Sequence, residues 1–461
     1  MKQSPDQKLF DAITDLSDEH IEEAGKAKLT PRIRIRRRIL ALAACAALIL
    51  GILLFIPRET LSPAGTLTDV IFPQAYAFDD TEARREILAE NPVEDSFLSS
   101  IRDFSYETIS CLLSDTEENS NYSPISLYYA LALAASGAQN GTWEELSALL
   151  HVSDPETLAD QCANLYRQLY TDNEVGQLKI ANSLWMDYHV SWKDSFIDRA
   201  AAQFFASSHS VDFKDEATAR DMAQWVAKQT NQTLLPEFSF SDNQILSILN
   251  TIYFRDEWST QFAEGSTGED TFYLSDGSTV SCDFMNRRDE TSSFYRGEDF
   301  LRASLSFKNG GEMVFILPDE GTSLHDLLSS PEQIRSIFEG GEETQGSITW
   351  KIPKFSFDSD YDLVEPLKEL GLSSVFSEDA DFSGITDNSA YFSLIRQETH
   401  IAIDENGAEA SAFTEIAFEG TRWAQEKEDA EMILNRPFLY GITAPNGTLL
   451  FAGICANPVS G

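Results

Sequence analysis

Cysteine is scarce in this chain: Cys45, Cys111, Cys162, Cys282 and Cys455 are far apart, and no Cys-x-x-Cys pair occurs. That excludes a zinc knuckle, a dithiol redox motif and a disulfide framework, and leaves the cysteines to read as small buried apolar side chains. Histidine is almost as rare, with six residues in 461 and none at metal-ligand spacing, so neither a metal nor a cofactor is expected. Basic charge is also short, 34 Lys and Arg against 75 Asp and Glu, a net charge of -41. Nucleic-acid binding rests on clustered Lys and Arg that displace counterions, and no such patch exists outside one N-terminal run. Catalytic signatures are missing too: there is no Gly-x-Ser-x-Gly, His-Glu-x-x-His, Gly-x-x-x-x-Gly-Lys or Gly-x-Gly-x-x-Gly. A nucleophile elbow, a zinc-binding helix and phosphate or dinucleotide loops are therefore not indicated, and the chain does not read as an enzyme.

Apolar material is plentiful. The chain is 42% hydrophobic and holds 30 Phe, enough for a large folded core and too much for a disordered chain. Five Arg between Arg32 and Arg38 precede an unbroken apolar run from Ile39 to Ile56. At the helical rise this run spans roughly 27 Å, close to the hydrocarbon thickness of a bilayer. Residues 1–38 are expected to be a cytoplasmic tail, 39–56 a single-pass membrane anchor, 57–92 an extracellular stalk and 93–461 an exported folded domain, oriented by the positive-inside rule. Cleavage after Ala75-Tyr76-Ala77, which would release a secreted chain, is the rival reading. Residues 8–25 have the spacing of a short amphipathic helix. Further on, Phe97–Leu113 and Leu127–Leu133 carry helical periodicity, while Met313–Leu317 and Ile348–Ile352 are short strand-like runs closed by Pro. Thr142 with Glu145 reads as a capping box.

A set of ordered motifs covers about residues 95–461. Asn119-x-x-x-Ser123-Pro124-x-Ser126 comes first, then Gly137-Ala138, Thr142, Asn182-Ser183-Leu184-Trp185, and Trp225-Val226 with Thr230-Asn231. Leu249–Phe254 with Trp258 and Phe262 follows, then Pro353-Lys354-Phe355, Asp381-Phe382-Ser383-Gly384, Asn435–Phe438 and Phe451-Ala452-Gly453. Between them, residues 404–417 crowd small side chains around Gly407 directly after the strand-like Ile401-Ala402-Ile403. Together these resemble the serpin family, and the segment from Glu405 resembles the hinge of a serpin reactive loop. The resemblance implies a mixed α/β (α+β) fold with a large central β-sheet, two further sheets, several surrounding helices and an exposed reactive-centre loop. It also implies inhibition of a serine protease, which would cut the loop, form a covalent acyl complex and be carried off as the loop inserts into the central sheet.

Insertion makes a demand that the residues can answer. Side chains alternate along a strand, so every second hinge residue must enter the core. From Gly407 the set Ala408, Ala410, Ala412 and Thr414 shares one face and Glu409, Ser411, Phe413 and Glu415 the other. The first set is small and uncharged, which favours an inhibitory chain. Counting seventeen residues from Glu405 places the scissile bond at Thr421-Arg422, suited to elastase- or subtilisin-like proteases; one residue further gives Arg422-Trp423, suited to trypsin-like ones. The loop from Glu405 to Pro437 is longer than the common family pattern, and the choice stays open.

The resemblance also implies a cluster beneath the central sheet that governs its opening: Ser123, Ser126, Asn250, Ser393 and the position of Gln397, where the family usually has His. Loss of that titratable group predicts latency and polymerisation that depend less on pH between 5 and 8. The expected partners are the target protease and, through residues 39–56, a membrane; the chain is expected to be a monomer, and its bare anchor suggests a bacterial source. The alternative is a non-inhibitory binding or sensing protein of the same fold at the cell surface.

Overall fold

The computed structural model describes residues 65–392, 395–408 and 428–460, all within the unit Pro63–Gly461. In chain order the elements are β1 (Gly65–Thr68), α1 (Thr81–Glu90), α2 (Asp95–Leu113), β2 (Ser120–Tyr122), α3 (Pro124–Ala135), α4 (Asn140–Leu149), α5 (Pro155–Leu169), β3 (Thr171–Asp172) and β4 (Gln177–Asp187). Next come α6 (Asp194–Gln203), β5 (Ala206–Val211), α7 (Glu216–Gln229), β6 (Leu246–Glu257), β7 (Gly268–Tyr273), β8 (Thr279–Arg296), β9 (Phe300–Ser306), β10 (Glu312–Pro318), α8 (Leu324–Leu328) and α9 (Pro331–Glu339). The remainder is β11 (Glu342–Pro353), β12 (Phe355–Asp362), α10 (Val364–Glu369), β13 (Arg396–Ile403), β14 (Gly407–Ala408), β15 (Glu428–Ile433), β16 (Phe438–Thr443) and β17 (Leu449–Cys455).

These elements make the expected mixed α/β architecture. The central sheet has the order β1-β5-β4-β6-β14-β13-β12, with β3 added beside β4. The other strands follow the path β15-β11-β8-β9-β10-β16-β17-β2, with β7 beside β8. The long β8 joins the two parts of that path: its first residues, Thr279–Phe284, pair with β7, the stretch Phe284–Arg296 pairs with β11, and its last residues, Phe294–Arg296, pair also with β9. The expected pair of further sheets is thus one hydrogen-bonded path whose halves share a strand.

Helix α3 explains where the core sits. It is apolar on all sides, with only Ala130 of its twelve residues not buried, because it packs against β6 of the central sheet and β17 of the other. Its start is fixed locally: Ser123 Oγ accepts from Ser126 N, and Pro124 occupies the first turn, where a missing N–H costs nothing. The periodic run read from Phe97 to Leu113 is α2, which buries Phe97, Ile101, Phe104 and Ile109. The two Pro-closed runs lie in β10 and β11. The capping-box reading of Thr142 and Glu145 does not hold. α4 begins two residues earlier, Thr142 Oγ1 accepts from Asp381 N, and Glu145 accepts from Ser374 N, so tertiary partners took both side chains.

Within the segment expected as a stalk, β1 pairs antiparallel with β5 and extends the central sheet, and α1 is capped by Asp80. Phe72 between them stacks on Tyr170 at 5.8 Å, with Lys179 Nζ 4.1 Å above its ring. No described helix is long and apolar enough to cross a membrane, and the apolar run 39–56 lies outside the described residues. The four described cysteines are unpaired, three of them buried, and burial raises the thiols of Cys162 and Cys282. No metal-binding cluster of His, Cys, Asp and Glu occurs among the described residues.

Candidate functional site at the opening of the central sheet

Strand β13 ends in a tight reversal. Asp404 Oδ1 accepts from Asn406 N at 2.8 Å and Gly407 N at 3.3 Å, and Asp404 N donates to Gly407 O. Aspartate readily takes this part because its short side chain caps the backbone two and three residues on. The turn is held from outside by the fully buried Trp258: its ring N–H donates to Asp404 O and its backbone N–H to Asn406 O. Glu405 is pinned as well, accepting from Lys354 Nζ at 2.8 Å and Thr267 Oγ1 at 2.7 Å. Burial alone would raise its pKa, but these hydrogen bonds outweigh it and hold the carboxyl below its ordinary range.

The chain then turns back as β14, a wedge of two residues. Ala408 pairs with Ile403 of β13 on one side and Asp256 of β6 on the other, and Gly407 pairs with Glu257. Only glycine fits at 407, since a Cβ there would lie 2.1 Å from Asp256 O and 2.8 Å from Glu257 Cα, both backbone atoms. Below the wedge β6 and β13 have no ladder between them; each pairs only on its far side, β6 with β4 over ten residues and β13 with β12 over eight. The gap holds a cavity of about 160 Å³ lined by Ser126, Leu131, Asn250, Ile395 and Gln397 together with the segment 236–240. A smaller cavity of about 30 Å³ lies next to Ala408, between Ile252 and Ile401. Arg396 ties the overlying segment to β13, donating to Glu237 O at 3.2 Å while binding Asp360 through two nitrogens at 2.6 Å.

A chain of hydrogen bonds forms the floor of this gap. The buried Gln397 amide acts as a surrogate backbone for Ser123, accepting from Ser123 N at 2.8 Å and donating to Ser123 O at 3.0 Å. Ser123 Oγ donates to Leu450 O of β17 at 2.7 Å. One turn on, Ser126 Oγ donates to Asn250 of β6, Asn250 donates to Asn182 of β4, and Asn182 donates to Phe204 O. Thr399, two residues along β13, donates to Asn121 O. So β13, α3, β6 and β4 are coupled across a gap that no strand ladder bridges.

Four of the five residues expected in the opening cluster, Ser123, Ser126, Asn250 and Gln397, meet in this network; Ser393 lies outside the described residues. Of the expected hinge, Glu405, Gly407 and Ala408 form the turn and wedge, while Glu409, Ala410, Ser411 and Ala412, and both scissile-bond choices at Thr421, Arg422 and Trp423, lie outside them. The sequence reading missed Asn182, Thr399 and Asp256. Asn182 stood in a quoted motif, but nothing local marks it as a cross-strand partner of Asn250. Asp256, 3% exposed, accepts from Glu257 N and from both nitrogens of Asn309, and burial pushes its pKa up to about 7.

The family model described as serpin (serine protease inhibitor) matches residues 99–458. The chain is 30% identical to Serpin-Z1C of Triticum aestivum, an alignment covering 76% of this chain and 93% of the relative. To the plasma serine protease inhibitor of Homo sapiens it is 29% identical, over 78% and 90% of the two chains. Among solved structures it is similar to the thermophilic serpin tengpin in its native state, with a TM-score of 0.72, 25% identity, and coverage of 86% of this chain and 99% of that one. A thyroxine-binding globulin in complex with thyroxine shares the fold at 23% identity, with a TM-score of 0.68 and coverage of 79% and 99%. The sequence relatives named here are from a plant and a human and lend no support to the bacterial source expected above. With the match spanning most of the chain and the two-residue wedge in an otherwise open sheet, this chain belongs to the serpin family.

Proposed function

We propose that this chain inhibits serine proteases as a suicide substrate, trapping the acyl-enzyme by inserting its cut loop between β6 and β13. Family membership supports protease inhibition in general; the wedge β14 carries the finer reading. Directly opposed residues of paired strands share a face, so the register of the wedge can be continued downward. Ala410 would come level with Phe254 and Ile401, Ala412 with Ile252 and Thr399, and Thr414 with Asn250 and Gln397. Ile252, Ile401, Thr399 and Gln397 are all buried, so the small uncharged set would meet the core while Glu409, Ser411, Phe413 and Glu415 would face away. Successive inserted residues gain ladder bonds alternately to β6 and to β13, bonds those strand edges now lack, which supplies the drive for the movement. Seventeen residues at about 3.3 Å each reach roughly 55 Å, enough to carry a protease across the molecule.

Residues 39–56 are proposed to anchor the chain in a membrane, with the tail 1–38 cytoplasmic and the inhibitor outside. The test is to mix the full chain in detergent with an elastase-like and a trypsin-like protease and run denaturing gels with mass spectrometry of the released peptide. A stable covalent complex is expected, and the peptide mass distinguishes Thr421-Arg422 from Arg422-Trp423. Clean loop cleavage with full residual protease activity would overturn trapping and leave the binding or sensing reading.

A further inference from the structure

Successive side chains of β6 face opposite sides of the central sheet. Asn250 faces α3, where it accepts from Ser126, while Tyr253 faces the other way and its hydroxyl accepts from Asn231 Nδ2, just past α7, at 3.3 Å. Arg255 shares the face of Tyr253, opposite to that of Phe254. Its neighbour across the β4 ladder is Gln177, whose amide donates instead to Asp172 at 2.6 Å. The next residue of β6 on this face, Glu257, is taken by Lys308 at 2.8 Å. Arg255 itself has no ion pair and no side-chain hydrogen bond among the described residues, and its Nε is buried without an acceptor. In a chain of 75 acidic and 34 basic residues, a guanidinium left alone in this way calls for a partner. A buried donor without an acceptor is costly, so a carboxylate that reached it would be held.

The register of the wedge points to that carboxylate. Ala408 stands opposite Asp256 on β6 and Ile403 on β13. Continued by one residue, the same antiparallel register brings position 409 opposite Arg255 on one side and Ala402 on the other, and directly opposed residues share a face with Cβ atoms about 5 Å apart. Position 409 is Glu. Ala402 offers it nothing polar, so Arg255 is the one cation directly across. The diagonal neighbours toward the hinge, Glu257 and Asp404, are acidic and would repel an unpaired Glu409, and His400, diagonal on β13, is bound to Asp358 at 2.6 Å. Further down, Glu415 would come level with Arg396, but Asp360 and Glu398 already hold that guanidinium.

We propose that Arg255 receives Glu409 as the cut loop enters between β6 and β13, in an ion pair on the outer face of the sheet at the first residue past the wedge. This rests on the insertion reading given above and makes Arg255 a positioning residue for the entering strand. A slip of one residue would turn every side chain to the other face, carrying Glu409 toward the core and away from Arg255. The pair therefore fixes the register before the rest of the loop follows, and so favours insertion over release of the protease.

Full-chain variants in detergent would be exposed to an elastase-like protease, which does not cut after an introduced arginine, and two quantities followed: the ratio of covalent complex to cut chain on denaturing gels, and the rise in unfolding temperature once the loop is cut. Arg255→Glu and Glu409→Arg are each expected to lower the ratio roughly three- to tenfold, since like charges then meet across the strands. The double reversal is expected to restore most of it, a rescue that a merely structural role for Arg255 would not give. Glu409→Arg alters no described residue and stays interpretable if Arg255→Glu fails to fold; Arg255→Gln then takes its place, and Glu409→Arg should cost less in that background than in the parent. Parental trapping in both single variants, or a double reversal no better than the worse single, would overturn the pairing and leave insertion standing. A parent that neither traps nor gains stability on cutting would overturn insertion and the pairing with it.

Discussion

Replacing Asp256 by Asn tests the physical account of the wedge. Asp256 is almost fully buried, and desolvation raises its pKa from 3.8 to about 7; the nearby charge of Glu257, itself paired with Lys308 at 2.8 Å, pushes the same way, and the hydrogen bonds from Glu257 N and Asn309 oppose it. An acid whose folded pKa lies above its unfolded value binds more protons in the folded chain. Its stabilising contribution is therefore complete below about pH 4 and is lost as pH rises through about 7. Three pKa units at 1.36 kcal/mol each correspond to ~4 kcal/mol lost across that window. Asparagine does not titrate, so D256N escapes the loss, though its amide group cannot accept from both Asn309 nitrogens and Glu257 N together, a deficit of about 1 kcal/mol. Urea unfolding followed by tryptophan fluorescence, at half-unit steps from pH 4 to 8, would compare the two chains. The expected result is D256N slightly less stable than the parent at pH 4, crossing it, and more stable by about 3 kcal/mol above pH 7. Parallel profiles, or D256N less stable at every pH, would refute the assignment of a neutral buried acid at this position.

Three further substitutions probe the gap itself. Ala408→Glu would bury a carboxylate beside Asp256 at a site now 3% exposed, so the loop should be cut without trapping, read as loss of the covalent complex on a gel with protease activity retained. Gly407→Ala would force a Cβ to within 2.1 Å of Asp256 O, displacing the wedge from β6 at a cost of about 1–3 kcal/mol; hydrogen exchange at the Ala408 and Glu257 amides should rise several-fold, and unchanged protection would count against the close approach. Gln397→His, made in the D256N background, should make conversion to the latent form pH-dependent below about pH 6.5, since a buried imidazole resists protonation; equal profiles for the Gln and His chains would sink the idea that Gln397 removed a switch.

The periodic and alternating patterns carried far because they are local. Helical spacing in Phe97–Leu113 marked α2, and Pro-closed runs marked β10 and β11, since each depends on which residues share a face over a few turns. Of the small set from Ala408 onward, only Ala408 lies among the described residues, in β14. Thr142 and Glu145 show where such reasoning stops: a sound local cap lost to Asp381 and Ser374, which approach from more than two hundred residues away.

What the sequence by itself determined, then, is the kind of the strongly patterned elements, α2, α3, β10 and β11, and the family they belong to. Only the tertiary structure decided that the sheet stands open between β6 and β13, because an absent ladder is a relation between strands that begin 150 positions apart. It alone singled out Asp256 among 75 acidic residues, by packing Gly176 and Asn309 around it and excluding water.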